Sequence, residues 1–150
     1  KRINEELIPT FRDVPGVDFV CPAWDIEQHV QPNTVNEIFS RHFFEHVTFI
    51  QGEKVLQAWY NILKPGGKME MMLPNMTFHI NQWTTRSDIN HAKAGFWGWQ
   101  REGEYDVWDV HKSGYDFALL KETLNKFNYK NIKSLKKTNH KHLHVICFKS

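Results

Sequence analysis

Apolar residues recur at helical spacing in two stretches. In residues 53–63 (EKVLQAWYNIL), Val55, Leu56, Trp59, Ile62 and Leu63 fall on one stripe, the pattern of a helix with one face on a core. The stripe stops at Lys64-Pro65-Gly66-Gly67, because proline cannot continue a helix and glycine accepts the turn that follows. In residues 116–127 (DFALLKETLNKF), Phe117, Leu120, Leu124 and Phe127 form a second stripe, with Ser113 or Asp116 placed to cap it. A shorter helix is expected over residues 4–11. Short apolar runs bounded by turn residues read as strands: 17–23 (VDFVCPA), 35–40 (VNEIFS), 68–73 (KMEMML), 131–136 and 143–149. The last two are joined by a short basic turn. The order is strand, strand, helix, strand, insertion, helix, strand, strand. It predicts an α/β fold: a mostly parallel sheet with helices on both faces and an antiparallel carboxy-terminal hairpin.

Residues 75–110 are the least regular stretch and hold Trp83, Trp97, Trp99 and Trp108. A connection of this length usually carries function or a small subdomain. The chain is therefore expected to be one domain over residues 1–150, with an aromatic-rich insertion at about 75–112.

Composition supports a globular chain: 41% hydrophobic residues, 14% aromatic, six Trp and eleven Phe are enough to build a core. A net charge of +2 does not indicate nucleic acid. Lys126, Lys130, Lys133, Lys136, Lys137 and Lys141 make the last quarter locally basic; a solvated face explains them, with an RNA or phosphate patch as the alternative. Only Cys21 and Cys147 occur, both in apolar runs, which fits small buried thiols rather than a disulfide framework. A reduced, cytoplasmic setting is the expectation, and no membrane partner is expected.

Three polar groupings could carry chemistry. His42-Phe43-Phe44-Glu45-His46 fits H-x-x-E-H, which on one helix face can bind zinc with the glutamate as base; a structural role is the alternative. His140, His142 and His144 fall on one face of a strand, as a metal triad or as a polar edge face. His111 precedes the late helix, where it could act as a general base or cap local backbone. No metal ligand set is assigned.

Residues 36–47 (NEIFSRHFFEHV) also resemble a phrase of the class I, Rossmann-like S-adenosylmethionine (SAM)-dependent methyltransferases. In that family a strand ends in D/E-x-I-x-S and runs into H-x-x-E-H-V. A helix, L-K-P-G-G and a strand ending in proline follow. Here these are Leu63-Lys64-Pro65-Gly66-Gly67 and residues 68–74, and the run from His111 to Phe117 with LLKETLNKFNYKNI resembles the family's late helix and strand. The resemblance covers most of residues 17–149 and implies SAM as cofactor. Ligands in such folds sit beyond the carboxyl ends of the strands.

Carried over position by position, the resemblance makes residues 17–23 the family's third strand, with Asp25 and Ile26 at the adenine end. It puts Ser40, Arg41 and His42 near the methionine part of the cofactor. Glu45 and His46 open the helix-side wall of the substrate mouth, and on a methyltransferase reading Glu45, His46 and His111 are the polar groups expected to face the methyl acceptor. Pro74 and Asn75 reach the mouth, and the insertion holding Trp83, Trp97, Trp99, Gln100 and His111 forms a lid or substrate wall. The RHFFEHV and LKPGG segments are expected to border one crevice at the carboxyl rim of neighbouring parallel strands.

The family's G-x-G loop is absent, since no two glycines here are separated by one residue. Asp13 and Asp18 are the nearest counterparts of the ribose-binding acid. Three functions stay open on sequence: a methyltransferase for a small-molecule or other acceptor, a non-catalytic or truncated relative that does not bind SAM, and a zinc hydrolase. A homo-oligomer that completes the sheet is an expected partner.

Overall fold

The computed structural model describes residues 18–100 and 109–150. The helix expected over residues 4–11 lies outside the described residues. The sheet has four strands: β1 (Val35–Arg41), β2 (Leu63–Pro74), β3 (Tyr129–Ser134) and β4 (His142–Lys149), in the order β1-β2-β4-β3. β1 and β2 pair in parallel, and β4 is antiparallel to both β2 and β3. Three strands therefore run one way and one runs against them, with the predicted hairpin at the carboxyl end.

The helix α1 (Phe49–Ile62) connects β1 to β2. Thr48 starts it with a reciprocal cap: its hydroxyl accepts from Gln51 N, and the Gln51 side chain accepts from Thr48 N. Proline and two glycines follow it, and Gly66 takes φ +75°. The chain thus bulges between Leu63 and Lys68 before regular pairing with β1 resumes. Asp116 caps α4 (Phe117–Lys126) through Leu119 N.

Both helices lie on one face of the sheet. Val55, Leu56 and Trp59 of α1 and Leu120 and Leu124 of α4 share a core with Met69, Met71, Leu73, Leu143, Val145 and Cys147. The period-2 alternation of β2 and β4 puts those strand residues on one side. Tyr129 closes the layer by donating its hydroxyl to Leu56 O at 2.9 Å. Burial pushes its phenol far above the ordinary range.

Three sequence expectations need correction. Residues 18–22 are irregular, and Ala23–Gln28 form a 3-10 helix packed on α1, so the strand predicted over 17–23 is not formed. No neighbouring strand is present, among the described residues, to pair with it. The stretch after β2 begins not as irregular chain but as two helices, α2 (Met76–Thr85) and α3 (Ile89–Trp97), packed on each other. Finally, Val35 pairs with Leu63 while Arg41 pairs with Met72. L-K-P-G-G therefore lies at the amino rim of the sheet, the opposite end from His42. A crossover between parallel strands must deliver the chain back to the amino rim, so Pro74 and not the PGG turn borders the carboxyl-rim crevice.

Candidate functional site at the carboxyl rim

β1 ends with an abrupt change of direction. His42 takes φ +49°, a conformation that costs a non-glycine residue energy, while its N–H still donates to Met72 O at 2.8 Å. The chain then coils into a short 3-10 turn, Phe44–His46. Phe44 points into the core, 1% exposed, and Glu45 and His46 face the rim. His42 and His46 thus do not share a face of an α-helix, the arrangement on which the zinc-hydrolase reading of H-x-x-E-H depends.

A second segment is stitched onto this turn. Lys112 N and Ser113 N both donate to Glu45 O, and Ser113 Oγ donates to Phe44 O. These bonds hold His111 beside Glu45 and His46. The imidazoles of His46 and His111 meet edge to face at 5.1 Å between centroids.

The result is a cavity of about 450 Å³ at the carboxyl ends of β1 and β2 and the start of β4. Its walls include His42, Glu45, His46, His111 and His142, with His79 of α2 and His91, Ala94 and Gly95 of α3 as its roof. Asn75 fixes the remaining side. It caps α2 at Thr77 N and donates to Thr138 O and His140 O, both at 2.8 Å. That anchor brings Lys141 and His142 to the wall.

The imidazoles are individually oriented. His111 Nδ1 lies 2.9 Å from Gly95 O, and His46 Nδ1 lies 3.2 Å from Val110 O. A carbonyl only accepts, so both Nδ1 atoms carry the proton and both Nε2 atoms keep a lone pair. His42 Nδ1 donates to Glu45 Oε1 at 3.1 Å. Gln82 bridges His79 and His91, accepting from His79 Nδ1 and donating to His91 Nδ1.

Burial, helped by neighbouring imidazoles, lowers the pKa of His79 to about 4, and burial followed by the adjacent His42 does the same for His142. Burial also lowers that of His111. The three are neutral near pH 7. Glu45 is 2% exposed, and its Oε2 has no hydrogen-bond partner among the described residues.

The expected acceptor-side residues Glu45, His46 and His111 therefore come together. The expected cofactor residues divide. Ser40 and Arg41 border a smaller, shallower cavity of about 340 Å³ with Ala23, Phe39, Phe43 and Trp59. His42 lines the histidine cavity instead, and Asp25 and Ile26 lie in the 3-10 helix without lining either cavity.

Of the expected lid residues, Trp99 lines the histidine cavity. Trp83 and Trp97 pack on each other at 5.8 Å, and Gln100 turns back to Trp97 O. His140, His142 and His144 do not act as a triad: His144 Nε2 pairs with Glu70 Oε1 at 2.7 Å, and His140 Nδ1 accepts from His142 N. Sequence reasoning missed His79, His91, Gln82 and Asp109. The signal it lacked was the helical hairpin that carries the first three over the rim.

No family model and no curated protein matches the sequence. The fold does match solved structures. A SAM-dependent methyltransferase from Archaeoglobus fulgidus superposes with a TM-score of 0.65, over 98% of this chain and 73% of that one, at 15% identity. One from Methanosarcina mazei gives 0.60 over 98% and 79%, at 17% identity. Human N-acetylserotonin methyltransferase, solved in complex with SAM, gives 0.52 over 77% and 29%, at 11% identity. The chain thus has the class I, Rossmann-like fold of SAM-dependent methyltransferases. It spans less than half the length of several matching chains: 33%, 29% and 42% of three of them.

The SAM that the sequence resemblance implies is fitted in part by the residues present. The smaller cavity offers Trp59 and Phe43 as flat apolar walls and Arg41 as a cation for a carboxylate. It offers no carboxylate for a ribose diol, and the sequence holds no G-x-G loop. The fit is incomplete.

Proposed function

We propose that this chain supplies the acceptor side of a SAM-dependent methyltransferase. The supporting observation is the placement of the Glu45–His46–His111 group at the carboxyl rim of a sheet with the methyltransferase fold, where ligands of open α/β sheets bind. SAM supplies an electrophilic methyl group when bound. The chain's own contribution is to hold an acceptor in the histidine cavity, shield it from water under α2 and α3, and orient it. His111 and His46 turn Nε2 toward it, and Arg41 holds the neighbouring anionic group. A small molecule bearing a hydroxyl or amine suits the volume and the lining.

Isothermal titration of the whole chain with SAM and with S-adenosylhomocysteine tests this reading. The expected result is saturable 1:1 binding, weakened about tenfold by Arg41→Ala, the size of losing one charge-assisted contact. No binding of either compound overturns it in favour of a second reading, a methyltransferase-fold module that does not bind SAM. That reading is favoured by the lining of the smaller cavity, which among the described residues holds no carboxylate for a ribose diol, and by the outer edge of β1, which has no partner strand among the described residues.

A further inference from the structure

We propose that Glu45, His46 and His111 bind one divalent first-row transition-metal ion of the zinc or iron(II) class. This goes beyond the methyl-transfer reading and does not rest on it. The carboxylate and the two imidazoles each bring a ligand atom within 4.8 Å of the other two. Ligands about 2.0–2.2 Å from one tetrahedral ion lie about 3.4 Å apart. Gathering them on one ion therefore takes a shift of up to about 0.8 Å each, within the reach of side-chain rotation.

The surroundings already have the form that such ligands need. A metal-binding imidazole characteristically donates its other N–H to a carbonyl or carboxylate, which fixes its orientation. His111 does so to Gly95 O and His46 to Val110 O, leaving both Nε2 lone pairs unspent. His42 holds one oxygen of Glu45 through Nδ1. The other oxygen, Oε2, is buried and has no hydrogen-bond partner among the described residues. An unsatisfied carboxylate oxygen in a buried site is costly, and a cation removes that cost.

The backbone of the site is independently braced. Lys112 N and Ser113 N bond Glu45 O, so the two ligand-bearing segments keep their spacing whether or not an ion is present. Two imidazoles and one carboxylate form a donor set suited to zinc or non-haem iron(II) rather than to magnesium or calcium, which prefer all-oxygen sites. Three protein ligands leave coordination positions open. Those positions face the cavity lined by His79, His91 and His142, so a water or an oxygen of a hydroxylated small molecule would complete the shell.

The test is metal binding by the purified whole chain, stripped with chelator and titrated with Zn²⁺ or Co²⁺. Neither SAM nor turnover is needed, so failure here is separate from failure of the methyl-transfer reading. The expected result is one ion per chain, with affinity falling at least about a hundredfold in His46→Ala, His111→Ala and Glu45→Gln, and unchanged in His144→Ala. X-ray absorption of the zinc form of the unaltered protein should show two imidazoles and oxygen ligands, a readout that stands even where a variant fails to fold. Absence of binding, binding that survives all three substitutions, or a spectrum without two imidazoles overturns the proposal.

Discussion

At the scale of single residues, the informative group is His79. It is 2% exposed, wedged between α2 and α3, and faces Gln82, His91 and His111. A Cβ on Gly95 would overlap its ring, so the helical hairpin closes on the imidazole only because that position is glycine. Burial lowers its pKa to about 4 from the ordinary 6.5. Between those values the unfolded chain binds a proton that the folded chain does not, so stability rises with pH there. The contribution is complete above pH 6.5 and lost as pH falls through 4. Urea unfolding of the unaltered protein between pH 7 and pH 4.5 should therefore show a falling midpoint. His79→Gln should make that fall shallower, with His142 and His111 keeping the remainder, while lowering stability at pH 7. An equal slope in both proteins would rule His79 out as its source.

The elements themselves differ in how far they were legible in the sequence. α1 and α4 carry aliphatic stripes and strong caps, and both were found within a few residues. β1, β2 and β4 were found for the same reason: alternation toward a one-sided core. Residues 17–23 failed because strand propensity describes a surface that needs a partner, and no partner strand is present among the described residues. α2 and α3 were missed because their inward positions are His79, Gln82, Ala92 and Gly95, small or polar residues that a hydrophobic pattern does not register.

The site followed the same division. Glu45, His46 and His111 could be placed by a family phrase, whereas His79 and His91 come to the cavity from helices with no sequence signature. The cap of α1 bears directly on the site, because Thr48 follows the Glu45–His46 turn by two residues. Thr48→Ala should cost about 1 kcal/mol in chemical unfolding through loss of the reciprocal cap. Leu56→Ala, at a fully buried position of the same helix, should cost about 2–5 kcal/mol. Equal costs would mean that the cap positions more than the helix end.

The whole molecule poses a problem of edges. β3 borders one side of the sheet and β1 the other, and no described strand pairs with the outer edge of β1. Phe39 stands on that edge strand, 58% exposed, on the face opposite the α1 and α4 core. A free backbone edge beside an exposed aromatic is a template for pairing with another chain, and a lysine on such a strand blunts it. Sedimentation velocity over a range of concentrations should therefore show self-association of the unaltered protein and its loss or marked weakening in Phe39→Lys. Phe39 packs none of the buried core, so thermal unfolding of the variant should stay within about 0.5 kcal/mol of the parent, as for other exposed positions. The exposed Trp97 and Trp99 offer a different apolar surface. Association through that surface would persist unchanged in Phe39→Lys and would assign the contact to the rim of the cavity instead of the sheet edge.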